Sequence, residues 1–207
     1  MDRAGWPFVL GAVVPGGAAW AFGWPWVAVL FGLLALFFAF FFRDPVRRPP
    51  TDTGAVLSPA DGRVMVAGHA DPAAAPSGEW RQVSIFLSPL NVHINRIPVG
   101  GLITRVVRTP GKYLAAYRPE SAAKNSRNEI WVDHGGAFVV CRQIVGVVAR
   151  RLVCRVAEGT VVQAGDKYGL MKFGSRIDLF LPPSVTLAVS VGDTVRGGET
   201  ILARWPS

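Results

Sequence analysis

The 207-residue chain is 50% hydrophobic, only 17% of its residues are charged, and its formal net charge is +8. This length allows one ordinary domain with a small appendage, and this composition excludes a disordered or fibrous chain. The positive charge favours an anionic partner, which is either nucleic acid or an anionic membrane surface. Two cysteines, Cys141 and Cys154, are too few for a disulfide scaffold and favour a reduced, cytosolic domain.

The N-terminal region has the composition of a membrane anchor. Residues 4–42 contain no charged side chain, and this length suffices for one tilted transmembrane helix or for two short ones. Pro15 and the Gly-Trp-Pro-Trp cluster at 23–26 divide the stretch, so the sequence predicts a helical hairpin. The composition leaves open whether residues 7–20 cross the bilayer or lie in its interface.

Arginines directly follow the apolar stretch and set its expected orientation. Because cytoplasmic flanks are enriched in basic residues, the chain after residue 42 is expected on the cytoplasmic side of the membrane. We therefore expect an anchor with its basic flank over 1–48 and a separate domain over 49–207. A membrane is then the favoured anionic partner, and nucleic acid is not expected. The flanking arginines are Arg43, Arg47 and Arg48.

After a proline-rich linker, the rest of the chain predicts a mainly β domain. Short apolar or alternating runs recur between glycine and proline residues, which favours a barrel or sandwich. Residues 113–128 lack a strand pattern and are expected to form a loop or a short helix. Residues 191–203 are similar to the hammerhead turns of lipoyl and biotinyl domains. The predicted strands are 63–67, 82–87, 102–107, 130–133, 138–144, 152–156, 175–181, 186–191 and 200–204.

Three segments combine reactive side chains with turn-forming residues. They are Pro59-Ala60-Asp61-Gly62, the stretch 86–101 around His93, and Lys172-Phe173-Gly174-Ser175-Arg176. Each is a weak indication alone, because Asp-Gly and Gly-Ser pairs are common in turns.

The other polar candidates are expected on the surface. His69 and His134 lie in polar turn sequences, where we expect exposure to solvent. Asp178 alternates with Ile177 and Leu179, so it is expected on the solvent face of its strand.

Taken together and in this order, behind an apolar N-terminal region, the three segments resemble the phosphatidylserine decarboxylase proenzymes, most closely the short-form type. The resemblance covers nearly the whole chain. Its matching pieces are Phe41-Phe42-Arg43-Asp44-Pro45, Ser58-Pro59-Ala60-Asp61-Gly62, residues 86–93 followed by Pro98, residues 125–128, residues 143–154 and residues 172–178.

The resemblance implies that the chain cuts itself between Gly174 and Ser175, into fragments 1–174 and 175–207. The Ser175 hydroxyl attacks the Gly174 carbonyl, which converts an amide to an ester that β-elimination can break. The resulting dehydroalanine hydrolyses to a pyruvoyl group. The expected cofactor is therefore this covalent pyruvoyl group, in place of pyridoxal phosphate and without a metal.

The resemblance also implies roles for other residues. Asp61 and His93 are candidates for the base that takes the Ser175 proton, and His93 is a candidate for the acid that protonates the product carbanion. Many long-form members carry a second histidine where this chain has Arg96, whose guanidinium stays protonated and cannot act as that base. The expected contacts to the substrate are Arg96, Asn125 and Arg127.

The implied activity converts phosphatidylserine to phosphatidylethanolamine and CO2 through a Schiff base, on the cytoplasmic face of the inner membrane. The implied partners are the lipid in its anionic membrane and the two cleavage fragments as a heterodimer. Assembly with further copies of the chain stays open.

Three other functions fit parts of the sequence. A cell-wall zinc peptidase with a lipoyl-like core needs a His-x-His pair, which the sequence lacks. A soluble pyruvoyl-dependent amino-acid decarboxylase leaves the apolar N-terminal region without a role. The main alternative is a non-catalytic membrane adaptor with a lipoyl-like barrel domain, which predicts a chain that stays whole on purification.

Overall fold

The structure is a computed structural model that describes residues 1–147, 152–172 and 175–206. The chain forms two units, Met1–Val46 and Arg47–Ser207. Phe173, Gly174 and residues 148–151 of the matching segments named above lie outside the described residues.

The first unit is a pair of apolar helices. A short 3-10 turn, Arg3–Gly5, leads into α1, Trp6–Ala21, and α2 spans Pro25–Phe41. The turn between α1 and α2 lies at the Gly-Trp-Pro-Trp cluster, as predicted. Gly23 in this turn has a φ of 75°, a backbone conformation that glycine adopts readily. Among the described residues one helix, Arg3–Ala21 with its 3-10 turn, is long and apolar enough to cross a membrane.

Aromatic side chains pack the two helices against each other in antiparallel order. The rings of Phe8 and Phe38 lie 5.4 Å apart between centroids, and those of Phe8 and Phe42 lie 5.1 Å apart. Nearer the connecting turn, a Cβ added to Gly16 would lie 3.0 Å from the Phe31 Cβ. A glycine at position 16 therefore allows α1 and α2 to approach closely.

The second unit is mainly β, as the sequence predicts, and its large sheet is curled. The strands are β1 Ala55–Leu57, β2 Gly62–His69, β3 Arg81–Leu87, β4 Ile94–Arg96, β5 Gly101–Thr109, β6 Arg127–His134, β7 Ala137–Ile144, β8 Leu152–Cys154, β9 Val161–Val162, β10 Lys167–Met171, β11 Ser175–Leu181, β12 Thr186–Leu187, β13 Thr194–Val195 and β14 Ile201–Arg204. The large sheet has eight strands in the order β13-β2-β3-β11-β7-β6-β5-β9, and the two three-stranded sheets have the orders β1-β14-β12 and β4-β10-β8.

Strand β11 lies at the centre of the large sheet. It pairs antiparallel with β3, from Ser175 opposite Leu87, and with β7, from Arg176 opposite Ile144. All seven of its residues are buried. Because both edges of β11 are hydrogen-bonded, the neighbouring strands depend on it to satisfy their backbone groups.

The two faces of the large sheet differ in chemistry. The face toward the main core carries apolar residues, among them Ile85, Ile130, Cys141, Ile177 and Leu179. The opposite face carries a buried polar network. Segments around Ala74 and Ala122 cover that face, where both residues pack on Ile144.

The prediction that Asp178 lies on the solvent face is wrong. Asp178 is fully buried, and the Nε of Arg176 donates to its Oδ1 at 2.6 Å. Arg176 also donates from Nη2 to the Ser84 Oγ at 3.0 Å. Asp178 does lie on the opposite face from Ile177 and Leu179, as the alternation predicts. That face is covered by other segments of the protein and is not exposed to water.

Other local predictions have mixed outcomes. Residues 113–128, expected to form a loop or a short helix, contain the four-residue helix α3, Ser121–Lys124, and end in the first two residues of β6. The strand predicted over 186–191 ends at Leu187. His69 is exposed, as expected. His134 is half-buried, stacks on Trp205, and has its Nδ1 2.6 Å from the Gly100 carbonyl oxygen. The hammerhead arrangement of residues 191–203 stays a prediction.

Candidate active site

Ser175 is the first residue of the central strand β11. Its side chain is fully buried on the core-facing side of the sheet, the side that also carries Ile177. The Ser175 Oγ has no hydrogen-bond partner among the residues that the structure describes. Burying a hydroxyl without a partner is unfavourable, so this hydroxyl does not stabilise the strand and is a candidate for chemistry.

His93 lies in the connection between β3 and β4 and is fully buried. Its Nδ1 is 2.9 Å from the Asn91 carbonyl oxygen. Because a carbonyl only accepts, this contact places a ring proton on Nδ1, so Nε2 is the nitrogen that can accept a proton when the imidazole is neutral. The site thus holds an imidazole in the tautomer that a proton acceptor needs.

Backbone pairing relates the segment that contains His93 to two positions near the expected cut, Met171 and Ser175. The connection that carries His93 begins at Leu87, which pairs with Ser175. The carbonyl of His93 accepts a hydrogen bond of 3.1 Å from the Met171 N–H, at the end of β10. Ser175 and His93 therefore belong to adjacent segments of one site.

The carboxylate of Asp61 is bound by a cation and a backbone amide. Arg47 Nη2 donates to Oδ2 at 2.7 Å, and the Gly197 N–H donates to Oδ1 at 2.8 Å. His93 is not among the partners of Asp61 in the described part of the chain. The structure therefore does not join these two candidates by a direct hydrogen bond.

Arg47 connects this carboxylate to a second one. Its Nη1 donates to the Glu199 Oε2 at 3.1 Å. The Arg48 backbone N–H and the Arg47 guanidinium hold the pKa of Glu199 below its usual value. Arg47 and Asp61 precede Ser175 in the chain, whereas Gly197 and Glu199 follow it, so these contacts cross the expected cut.

Arg96 is buried next to the Asp61 segment. Its backbone N–H donates to the Pro59 carbonyl at 2.9 Å, and its Nη1 donates to the Gly165 carbonyl at the same distance. A Cβ added to Gly198 would lie 2.7 Å from the Arg96 Cδ, so a glycine there leaves space for the arginine stem. Substrate contact by Arg96 stays a prediction.

Asn125 is fully buried and uses its side-chain amide within the protein. Its Oδ1 accepts from the Leu114 N–H at 2.9 Å, and its Nδ2 donates to the Leu114 and Val145 carbonyls at 2.8 Å each. These three bonds hold the segment before α3 against the end of β7. They give Asn125 a positioning role, and a direct contact to substrate stays a prediction.

Arg127 is the first residue of β6 and is partly exposed. Its Nε donates to the Glu129 Oε1 at 3.2 Å, and its Nη1 donates to the Ala123 carbonyl at 2.8 Å. The same Glu129 oxygen accepts from the Arg142 Nε at 3.1 Å. One carboxylate therefore serves two arginines, and this cluster keeps a net positive charge.

A buried amide network near Ser175 was not predicted from the sequence. Gln143 Nε2 donates to the Asn95 Oδ1 at 2.7 Å, and Asn128 Nδ2 donates to the Gln143 Oε1 at 3.1 Å. Gln143 lies opposite Ile177 on β11 and opposite Asn128 on β6, so the network shares the sheet face of Ser175. The sequence signal that could have indicated this network is the presence of Asn128 and Gln143 in two of the segments that match the family.

A cavity of about 570 Å³ lies at the end of the large sheet where β5 and β7 end and β6 begins. Strand β11 begins at the same end of the sheet. Its lining combines basic groups with a buried amide, and no acidic residue is among the described residues that form it. We call it the basic cavity. The residues that define it are Arg108, Ser126, Arg127, Asn128, Val145, Val153 and Lys172.

Comparison with known proteins identifies the family to which these features belong. The family described as phosphatidylserine decarboxylase matches residues 34–203. A phosphatidylserine decarboxylase proenzyme from Salinibacter ruber is 43% identical over 202 residues, covering 94% of this chain and 88% of that protein. Proenzymes with the same name from Nitrosomonas eutropha and Gluconacetobacter diazotrophicus are each 42% identical over 206 residues, covering 98% and 96% of this chain and 94% and 91% of those proteins.

The chain therefore belongs to the phosphatidylserine decarboxylase family. The expected enzyme class, a decarboxylase made as a proenzyme, is confirmed. The identity and roles of the individual site residues stay predictions.

Proposed function

We propose that this chain is a self-processing phosphatidylserine decarboxylase that forms phosphatidylethanolamine and CO2 with a pyruvoyl group made from Ser175. The observation that carries the proposal is the fully buried Ser175 hydroxyl, which has no hydrogen-bond partner among the described residues, at the Gly-Ser pair that the family resemblance marks for cleavage. Membership of the family over residues 34–203 supports the substrate.

Self-cleavage uses groups of the chain itself. The Ser175 Oγ attacks the Gly174 carbonyl carbon, its proton passes to a base, and the C–N bond breaks as an ester forms. Loss of the Ser175 Cα proton then breaks the ester, releases the carboxylate of Gly174 and leaves a dehydroalanine at position 175. Water hydrolyses this residue through its imine, and the nitrogen leaves as ammonia to give the pyruvoyl group. We assign the base to His93 Nε2, because the Asn91 carbonyl holds the ring in the required tautomer.

In this proposal Asp61 has a positioning role. Its contacts with Arg47 and Gly197 join the turn after β1 to the end of the chain. The Pro59 carbonyl, two residues before Asp61, accepts a hydrogen bond from the backbone N–H of Arg96, three residues after His93. Asp61 therefore acts on the chemistry through the placement of the segment that carries the imidazole.

The surroundings of Ser175 suit the mature group. The site lies at the start of a buried strand and next to the apolar side chains of Leu87 and Ile177. When formed, the pyruvoyl group supplies an electrophilic carbonyl for the substrate amine and accepts the electrons left by CO2. The protein supplies the acid for the product carbon, which we assign to His93.

The N-terminal unit brings this site to its lipid substrate. We propose that Arg3–Ala21 and the shorter Pro25–Phe41 insert in the inner membrane and that the β unit faces the cytoplasm. The absence of charge from residues 4–42 and the three arginines that follow support this orientation. The two fragments then remain together as a heterodimer.

The replacement Ser175→Ala tests the proposal. Purified wild-type protein is expected as two pieces, 1–174 and 175–207, with no free amine on the smaller piece. Ser175→Ala is expected to stay whole and to release no CO2 from phosphatidylserine, as measured by intact mass and CO2 assay. Ser84→Ala is the control, because Ser84 is a buried serine on the neighbouring strand, and it is expected to be cut.

A wild-type chain that stays whole while folded would instead favour the adaptor function. A Ser175→Ala variant that still releases CO2 would remove the pyruvoyl assignment.

A further inference from the structure

The basic cavity has the charge of an anion site. The Arg108 side chain is exposed, and its guanidinium forms no ion pair or hydrogen bond with the described residues. Within the described part of the chain, the one carboxylate that pairs with Arg127 is that of Glu129, which also pairs with Arg142. Lys172 adds a third cation to the lining. A cleft lined by one sign of charge attracts and concentrates ligands of the opposite sign.

A buried group adds a second polarity to the cavity. Asn128 is 2% exposed and lines the cavity, and its Oδ1 has no hydrogen-bond partner among the described residues. Its Nδ2 already donates to Gln143, so the unused atom is an acceptor. A ligand that satisfies the whole cavity carries an anion at one end and an N–H donor at the other.

Strand geometry relates this cavity to Ser175. Lys172 precedes Ser175 by three residues. Asn128 lies two strands from β11, opposite the position of Ile177 and on the sheet face of Ser175. With strands about 4.8 Å apart and residues about 3.4 Å apart along a strand, the Cα atoms of Asn128 and Ser175 are separated by roughly 12 Å.

We propose that the basic cavity binds the phosphoserine head group of the substrate, with the phosphodiester on Arg108, Arg127 and Lys172 and the amine directed past Asn128 toward Ser175. This inference rests on the proposed function and adds the substrate-recognition site to it. Arg108 and Lys172 thereby become substrate-binding residues. Among the three cations of the cavity, the family resemblance implies a substrate contact for Arg127 alone.

The chemistry of decarboxylation assigns the phosphodiester, and not the carboxylate, to the cations. The carboxylate loses its charge as CO2 leaves, so pairing it with arginine stabilises the ground state more than the transition state and slows the reaction. The phosphodiester keeps its charge throughout. Binding it holds the substrate without opposing the chemical step.

The experiment compares Arg108→Gln with Arg105→Gln in the full-length, self-cleaved enzyme. Both replacements remove one positive charge from β5, and Arg105 does not line the cavity. Phosphatidylserine is supplied in zwitterionic detergent micelles at constant ionic strength, and KM and kcat are measured separately. Arg108→Gln is expected to raise KM roughly tenfold with kcat within about twofold, and Arg105→Gln is expected to change neither.

Soluble competitors distinguish the ligand. Glycerophosphoserine is expected to inhibit the wild-type enzyme and to inhibit Arg108→Gln roughly tenfold more weakly. Inorganic phosphate is expected to inhibit both weakly, because it lacks the amine. Equal inhibition by phosphate and glycerophosphoserine would reduce the cavity to a general phosphate site and overturn the assignment.

Other outcomes separate this inference from the proposed function. Arg108→Lys, which keeps the charge, is expected to recover part of the KM. If Arg108→Gln and Arg105→Gln raise KM equally, the effect is attraction to the surface and the cavity assignment is wrong. If the wild-type chain is neither cut nor active, the proposed function fails. If it is cut and active while Arg108→Gln behaves as wild type, only the head-group site fails.

Discussion

At the scale of single residues, the two buried groups of the candidate site, the Ser175 hydroxyl and the His93 imidazole, differ in their hydrogen bonding. The Ser175 hydroxyl has no partner among the described residues, whereas His93 Nδ1 faces a carbonyl oxygen. The hydroxyl is therefore available to react, and the imidazole is fixed in one tautomer. The sequence motifs indicated both residues, because their segments match the family.

Replacing His93 tests whether the imidazole moves protons. His93→Gln is expected to slow self-cleavage and CO2 release by at least about 100-fold, because an amide cannot accept the proton that a general base takes. Cleavage is followed by intact mass after synthesis, and CO2 release is measured on the fraction that is cut. His69→Gln, at the exposed histidine, is the control and is expected to behave as wild type. Normal turnover in His93→Gln would exclude His93 from the mechanism.

Cys141 gives a prediction about pH. It is fully buried, its Sγ lies 3.1 Å from the Tyr168 hydroxyl, and burial raises the pKa of its thiol to about 12 from 9.0. Above pH 9 the unfolded chain loses this proton while the folded chain keeps it. The free energy of unfolding is therefore expected to fall by about 1.4 kcal/mol per pH unit from this group.

Thermal unfolding of the detergent-solubilised protein between pH 8 and 10 measures this effect. The melting temperature of wild type is expected to fall more steeply with pH than that of Cys141→Ala, which lacks the thiol. Parallel pH profiles for the two proteins would show that the thiol is not protected by burial.

At the scale of elements, the sequence predicted the longer strands well and the shortest ones poorly. Alternation over five or more residues located β2, β3, β5, β7 and β11. The two- and three-residue strands β1, β4, β9 and β13 were missed, because they contain too few residues for a period and are defined by their partners. Strand β10 was missed as well, since its Gly169 interrupts the apolar pattern.

The same limit applies to the site. Ser175, His93 and Asp61 stand in recognisable motifs. The contact between Gln143 and Asn95 joins residues 48 positions apart, and no local pattern encodes it. Asp178 was assigned to the wrong environment because alternation identifies two faces of a strand without telling which of them is covered.

The segment between β5 and β6 depends on Asn125. Asn125→Ala removes three buried hydrogen bonds and leaves the Leu114 and Val145 backbone groups without partners. The expected loss of stability is about 2–3 kcal/mol, measured by denaturant unfolding in detergent. Asn125→Asp keeps the acceptor for the Leu114 N–H but places a buried carboxylate against the Leu114 and Val145 carbonyl oxygens, so it is expected to lose at least as much stability as Asn125→Ala. A variant as stable as wild type would contradict the positioning role.

At the scale of the whole molecule, charge and hydrophobicity are divided between the two ends of the chain. Residues 1–42 hold one acidic and one basic residue, so the net charge of +8 belongs to the remainder. The apolar helices and the basic remainder predict two different attractions to an anionic membrane. Salt weakens the second attraction and leaves the first unchanged.

Membrane extraction distinguishes the two attractions. The full chain is expected to stay in the membrane pellet in 1 M salt and in alkaline carbonate, and to be released by detergent. Immunoblotting for both fragments in pellet and supernatant makes the measurement. Release by salt alone would show that the basic surface holds the protein and that residues 4–42 do not insert.

The central position of β11 fixes the order of events in the life of the molecule. In the proposed function, the serine that is converted belongs to the last 33 residues of the chain, and it reaches its neighbours only after that segment has paired with β3 and β7. Conversion therefore reports that the sheet is complete. A ribosome that stops early, or a chain that misassembles, leaves an inert polypeptide and no stray electrophile in the cell.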